Sequence, residues 1–324
     1  ASREDLEVEI TTEVYENLSL SSSNRYEYVY PSFSLLKSIY ESNDGNLTLN
    51  SAGQSKRFNT NTTEKIFVND FSYKSYNKIS MLGVLSNYEV LLKNFNVKSK
   101  KSTTYKNKTE NSLQSIINYE VKYPLQKISE NFMSTLTPTF SARYSPNKSK
   151  NKSKQDRVIN FDNIFSIDRI GSSDTVEGGQ SITIGGEYGI SNNKNLGEEI
   201  FSLNLATVFR NKKNDKLPIN STLGKKNSDI FGDLDFNLNK FIDFNYNFAL
   251  DSNLQTINYN QIKSTLSFFN IVSTFDFLEK NNFIGSESYL SNETKFEIND
   301  SSSFSFKTRK NKEKDLTEYY NFIY

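Results

Sequence analysis

The 324-residue chain contains no histidine and no cysteine. Their absence excludes His-based general acid–base catalysis, Ser-His-Asp and Cys-His triads, disulfides and Cys/His zinc sites. No apolar run approaches the roughly 20 residues of a membrane-spanning helix, and no Walker or dinucleotide-binding motif occurs. Neither sign of charge is in excess. The 39 Lys and Arg against 38 Asp and Glu leave no global field of the kind that marks a nucleic-acid binder. Hydrophobic residues are scarce too, at 35%, below what a soluble core usually needs. The opening residues, Ala1 to Asp5, are no signal peptide, so the start of an exported protein is expected upstream. Nothing here points to an enzyme or asks for a cofactor.

Aromatic residues, by contrast, reach 14%, which argues against disorder. Low hydrophobicity and high aromatic content are reconciled by a transmembrane β-barrel, where only alternate residues of each strand face lipid and the lumen is polar. The bias to Asn, Lys and Ser is also what an AT-rich genome produces. Period-two alternation runs the length of the chain. Leu136, Pro138, Phe140, Ala142 and Tyr144 alternate with Thr137, Thr139, Ser141 and Arg143. Ile117, Tyr119, Val121 and Tyr123 do the same, as do Phe201, Leu203 and Leu205, then Leu234, Phe236 and Leu238. Ile242, Phe244, Tyr246, Phe248 and Leu250 alternate with Asp243, Asn245 and Asn247; Phe275 with Phe277 and Phe304 with Phe306 repeat the pattern. No stretch carries apolar residues at helical spacing over three turns, so β structure is expected throughout.

Turn signals separate these runs: Asn43 to Asn46, Asn192-Asn193, Asn239-Lys240, Asp251 to Asn253, Asn281-Asn282 and Asn299-Asp300. Other connections are long and lysine-rich, at Lys98 to Lys108, Asn147 to Arg157 and Arg210 to Lys226. Short turns at one end and long polar loops at the other suit an outer-membrane barrel, with roughly 16–18 candidate strands of near-spanning length. Soluble sandwiches, propellers and β-helices also alternate. No fixed repeat of roughly 20–50 residues supports a propeller or solenoid, and no linker divides the chain into two sandwiches.

The most distinctive segment runs from Asn163 to Tyr188, a turn-rich stretch with Gly171, Gly178 and Gly179 that leads into an alternating strand. Read alone, it is a connecting loop whose glycines permit a bend. Its asparagine–phenylalanine, Asp168-Arg169, glycine and Glu177-Gly178-Gly179 elements resemble a loop of the outer-membrane lipopolysaccharide-assembly family, LptD. Leu136 to Asn147, with Pro138 and Pro146, resembles the proline-bearing strand that precedes that loop. Arg25 to Phe33, rich in tyrosine and holding Pro31, resembles a strand near the start of the family's barrel. The texture of the remainder agrees, and is closest to alphaproteobacterial members.

The resemblance implies a segment of one large antiparallel outer-membrane barrel spanning residues 1–324. The family's periplasmic β-jellyroll would lie upstream, and terminal strands of the barrel would lie outside the chain. It implies a protein that takes lipopolysaccharide (LPS) from a periplasmic bridge and inserts it in the outer leaflet through a lateral opening. An outer-membrane lipoprotein would plug the lumen, with membrane lipid outside. A diffusion porin, or another passive channel, shares every pattern except the 163–188 likeness; a surface-attached β-rich adhesin is a third reading. Several smaller features have plain readings. Asp168-Arg169 reads as a solvated loop pair, worth little. Asp233, Asp235 and Asp243 read as polar lumen residues instead of metal ligands or paired acids. Gly185-Gly186 suggests a bulge or a close approach. A strand proline such as Pro31 belongs at an edge, a bulge or a weakened seam, and the resemblance adds a role in loosening the lateral opening. Tyr319 to Tyr324 reads as the middle of a strand, so a piece of a larger barrel, unable to transport alone, is expected.

Overall fold

The computed structural model describes the whole chain except residues 1, 4, 20–24, 59–60, 194–197, 239–240, 282–286 and 300–301. Nineteen strand segments are found among the described residues. They begin with β1 (Ser2–Arg3), β2 (Leu6–Glu16), β3 (Tyr26–Ser42), β4 (Gly45–Phe58), β5 (Thr63–Ser75), β6 (Lys78–Ile79) and β7 (Leu85–Lys100). Next come β8 (Thr109–Lys122), β9 (Leu125–Ile128), β10 (Phe132–Ser145), β11 (Gly179–Asn192), β12 (Glu199–Arg210) and β13 (Ile230–Leu238). The last are β14 (Ile242–Leu250), β15 (Ile257–Phe268), β16 (Ile271–Lys280), β17 (Glu287–Asn299), β18 (Ser302–Asn311) and β19 (Leu316–Ile323).

Apart from two breaks, each segment pairs antiparallel with its neighbour in the chain, so the fold is a single meander. Two segments are continuations. β6 follows β5 along β7, and β9 follows β8 along β10. With each joined to the strand it extends, the count falls within the expected roughly 16–18 crossings. The β8–β9 break falls at Tyr123-Pro124, facing Pro138 of β10, where the Tyr123 N–H still donates to the Pro138 carbonyl at 3.1 Å. Neither proline has an N–H to give the ladder, which is why the strand is interrupted there. Among the described residues no ladder closes the sheet on itself.

Alternation decides the two faces. Along β10, Leu136, Pro138, Phe140 and Tyr144 are exposed, while Thr139, Ser141, Arg143 and Ser145 are buried. Cross-strand register carries the split sideways: Ala142 stands opposite Tyr119 of β8 and Ile182 of β11, and Ile182 opposite Phe209 of β12. One face is thus apolar and bare, as a lipid-facing wall requires; the other is polar. Asp233 and Asp235 lie on the polar face, where Asn245 donates to both at 3.1 and 2.8 Å.

The connections sort by end. Two-residue turns at 43–44 and 269–270 lie at one end, and 101–108, 146–178 and 211–229 at the other. The three lysine-rich stretches therefore converge at one end, as expected, although Lys98 to Lys100 and Arg210 still belong to strands β7 and β12. Turns expected at Asn239-Lys240, Asn282 and Asp300 lie outside the described residues. Pro31 sits at a bulge, since the register shifts between Val29 and Ser32 against β4 and between Thr11 and Glu13 against β2.

Not everything is β. A one-turn helix, α1 (Phe161–Ile164), interrupts the long connection. Asn160 and Asn163 form a reciprocal capping box, each side chain bonding the other's backbone N–H. A capping box satisfies local donors without any helical repeat, so hydrophobic periodicity could not reveal it. The core of the molecule is built by this loop. Ile159, Ile164 and Ile170, with Leu217 and Leu223 of the 211–229 loop, bury against Ala206, Val208, Phe231 and Ala249 of β12–β14. Ile167 and Val176 bury against Leu91 of β7 and Ile116 of β8. Each such side chain contributes on the order of 1.5–3 kcal/mol, so the loop is fastened across the polar face.

Candidate functional site

Strand register sets the floor of the site. Asn118 of β8, Arg143 of β10, Ser181 of β11 and Arg210 of β12 are successive cross-strand partners, forming one row on the polar face. The loop lays Arg169 and Glu177 on that row. Arg169 is 0% exposed and Glu177 1%. The Arg169 Nε donates to Glu177 Oε2 at 2.8 Å, and a second bond joins Arg169 Nη2 to Glu177 Oε1, giving a two-point pair. The rest of the Arg169 guanidinium donates to Thr183 Oγ1 at 3.1 Å and Ser181 Oγ at 2.8 Å, both on β11. Arg210 donates to Glu177 Oε1 and to the Gly178 carbonyl. Arg143 stands 3.5 Å from Glu177 Oε2 and donates to the carbonyls of Ser166 and Ile167. One carboxylate thus gathers three guanidinium groups from a loop and two strands.

Two glycines make this approach feasible. A Cβ on Gly178 would collide with the Asn147 carbonyl, and Gly179 has φ +93, a conformation that side chains rarely adopt. Gly171 also turns left-handed, with φ 58, and its N–H donates to Asp168 Oδ1 at 3.2 Å. Gly185 is a close approach and not a bulge: a Cβ there would meet the Phe165 ring of the loop at 2.9 Å. The register shift of β11 comes later, between Ile190 and Ser191.

The solvated Asp168-Arg169 pair expected from sequence is not formed. Arg169 turns inward to Glu177, and Asp168 instead lies 3.8 Å from Lys93 of β7. Asp168 is also held locally, its carboxylate accepting the Gly171 N–H at 3.2 Å. Burial pushes the Asp168 carboxyl up against the pull of Lys93. Burial would push Glu177 up as well, but Arg169, Arg143 and Arg210 hold it down at about 2. Asp174 is also held below the usual carboxylate range, its desolvation outweighed by Lys152 at 2.7 Å and by a bond from Ser172.

The sign of the pH response follows from the depressed value. Glu177 contributes stability that is complete above its ordinary 4.5 and is lost as pH falls through about 2. The loop is expected to stay docked down to about pH 5 and to loosen between roughly pH 4.5 and 2. Hydrogen exchange at Arg169 to Gly179 across that range checks this; release already at pH 6 would contradict it.

Of the positions nominated from sequence, Arg169, Glu177, Gly178 and Gly179 converge on this clasp, with Asp168 and Gly171 beside it. Pro146 opens the loop, Pro138 lies on the apolar face, and Pro31 is in β3, away from the clasp. Arg143 and Arg210 were not nominated. Their signal was an arginine at an inward position close to the long-loop end of its strand, with Thr139, Ser141 and Ser145 on the same face as Arg143 but Ala206 and Val208 on the same face as Arg210. Among the described residues no group of three or more Asp or Glu could hold a metal ion. Buried guanidiniums around one carboxylate offer no nucleophile; what they can do is pin the loop and keep this part of the polar face dry.

The model of the family described as LPS transport system D, LptD, matches residues 11–299. No curated protein matches the chain.

Proposed function

The chain belongs to the LptD family, which transports LPS to the outer membrane, and from that premise we propose that its sheet is wall for a laterally opening translocon. In this reading LPS arrives from a periplasmic bridge and leaves between strands into the outer leaflet, with an outer-membrane lipoprotein as the lumen partner. The observation that carries the reading is the family match taken with the docked loop. A diffusion porin needs a water-filled lumen, whereas here the 146–178 loop packs over the long-loop end of the polar face, against β7, β8 and β12–β14. The porin alternative is not favoured on that ground.

Opening along a seam requires a ladder that can yield, and the bulge at Pro31 supports placing one beside β3. The test exploits the absence of cysteine from these 324 residues. Thr11 and Ser32 are register partners whose hydroxyl oxygens lie 2.6 Å apart, so T11C/S32C introduces one defined cross-link. Depleting the protein is expected to strip newly made LPS from the cell surface, and the oxidised double variant to do the same until a reductant is added. Normal LPS export with complete cross-linking would reject a gate at Pro31. Normal LPS export after depletion would reject the transport role itself.

A further inference from the structure

At the long-loop end, where β10, β11 and β12 meet their loops, lies a cleft of about 710 Å³. Five cations line it, Lys148, Arg210, Lys212, Lys213 and Lys216, and no Asp or Glu does. Lys213 has an exposed partner in Asp215, a pairing worth little. Lys148, Lys212 and Lys216 form no ion pair among the described residues. Arg210 is 7% exposed, and its Nε is buried without a hydrogen-bond partner.

Directly beneath, on the bare apolar face, is a groove of about 550 Å³ that shares Tyr144, Gln180, Arg210 and Asn211 with the cleft. Its shape follows from the register. In the row Tyr119, Ala142, Ile182 and Phe209, one residue is small and the others are large. Ala142 is therefore a floor, with the larger side chains and Tyr144 as walls. A cationic cleft opening onto an apolar groove is complementary to a single kind of molecule: a phosphate-bearing headgroup above, acyl chains below.

We propose that this cleft and groove form a binding site for a multiply phosphorylated, multi-acyl lipid on the outer wall of the sheet, at β10–β12. It rests on the apolar face meeting lipid, not on transport, so it can fail or hold separately from the export reading. Continuity with the groove favours a lipid over free phosphate, since a soluble anion gains nothing from the apolar half. Held there, the lipid would brace the wall behind the buried clasp, because Arg210 belongs to both.

The test is photo-cross-linking in outer membranes, with p-benzoylphenylalanine replacing Tyr144 and, as control, Phe140, which faces lipid further down the same strand. Mass spectrometry of the adducts is expected to show phosphorylated multi-acyl lipid enriched at position 144 over position 140. In the Lys148→Gln/Lys212→Gln/Lys216→Gln background the adduct at 144 should fall roughly a hundredfold, since each basic residue near a membrane surface adds about fivefold to anionic-lipid binding. The adduct at 140 should not change. Equal lipid profiles at both positions, an adduct at 144 indifferent to the lysines, or its loss on adding inorganic phosphate to washed membranes would each overturn the site.

Discussion

Replacing Glu177 by glutamine is expected to free the 146–178 loop while the strands stay paired. The substitution keeps the volume but removes the one anion that three buried guanidiniums share. Deleting one side of a buried charge network leaves the other side uncompensated, at a cost of about 3–5 kcal/mol. Undocking the loop relieves that cost locally, since it breaks none of the inter-strand ladders, and local opening is how such strain is usually released. The loop carries lysines at 148, 150, 152 and 154, so trypsin reads the release directly. Cleavage within 147–157 should rise by two orders of magnitude or more, from the same roughly 3–5 kcal/mol. Arg169→Met should cost less, because Glu177 would keep Arg143 and Arg210. Asp168→Asn should cost less still, because its partner Lys93, 3.8 Å away, keeps Asp70 at 2.7 Å. Wild-type trypsin resistance in Glu177→Gln would mean that the apolar contacts of Ile164, Ile167, Ile170 and Val176 hold the loop without the clasp.

The outward half of this architecture was legible in the sequence because a strand repeats every two residues. Phe140, Ala142 and Tyr144, or Phe201, Leu203 and Leu205, stand on the bare face in the structure, as their alternation requires. The lysine-rich connections could be assigned to one end by the same logic, since antiparallel neighbours alternate direction. The clasp was not legible, and the reason is its order of contacts. Arg143 and Arg210 meet only because β10, β11 and β12 are adjacent and in a register that sets both opposite Ser181. A shift of one residue in either ladder would have turned one arginine to lipid. Glu177 lies 34 residues from Arg143 and 33 from Arg210 along the chain, a separation that no local pattern spans. Asp168 next to Arg169 is the opposite case, since adjacency in sequence suggests a pair, whereas in the fold each finds a different partner, Lys93 and Glu177. The β8–β9 interruption is an intermediate case: Pro124 and Pro138 are visible in the sequence, but only the pairing shows that they lie one position out of register across the same ladder.

The strongest single test of the membrane assignment lies in β14, away from the loops. Phe244, Tyr246 and Phe248 fall on the apolar face, and Tyr246 and Phe248 stack with ring centroids 5.1 Å apart. Gly232 on β13 leaves room for the Phe248 ring, which a Cβ would strike. Tyr246 is the central residue of a nine-residue strand, so in a spanning barrel it sits near the middle of the bilayer. Tyr246→Arg should therefore cost about 2–4 kcal/mol, the penalty for a guanidinium facing lipid at that depth. Asn245→Arg changes the next residue along by the same chemistry but points it to the other face. There the side chain lies between Asp233 and Asp235, to which Asn245 already donates, and a guanidinium could pair with both. Its cost should be below about 1 kcal/mol. Urea titration of refolding into lipid vesicles measures both. Only a sheet with lipid on one face and polar groups on the other makes neighbouring arginines differ this much; equal penalties would remove β14 from the membrane.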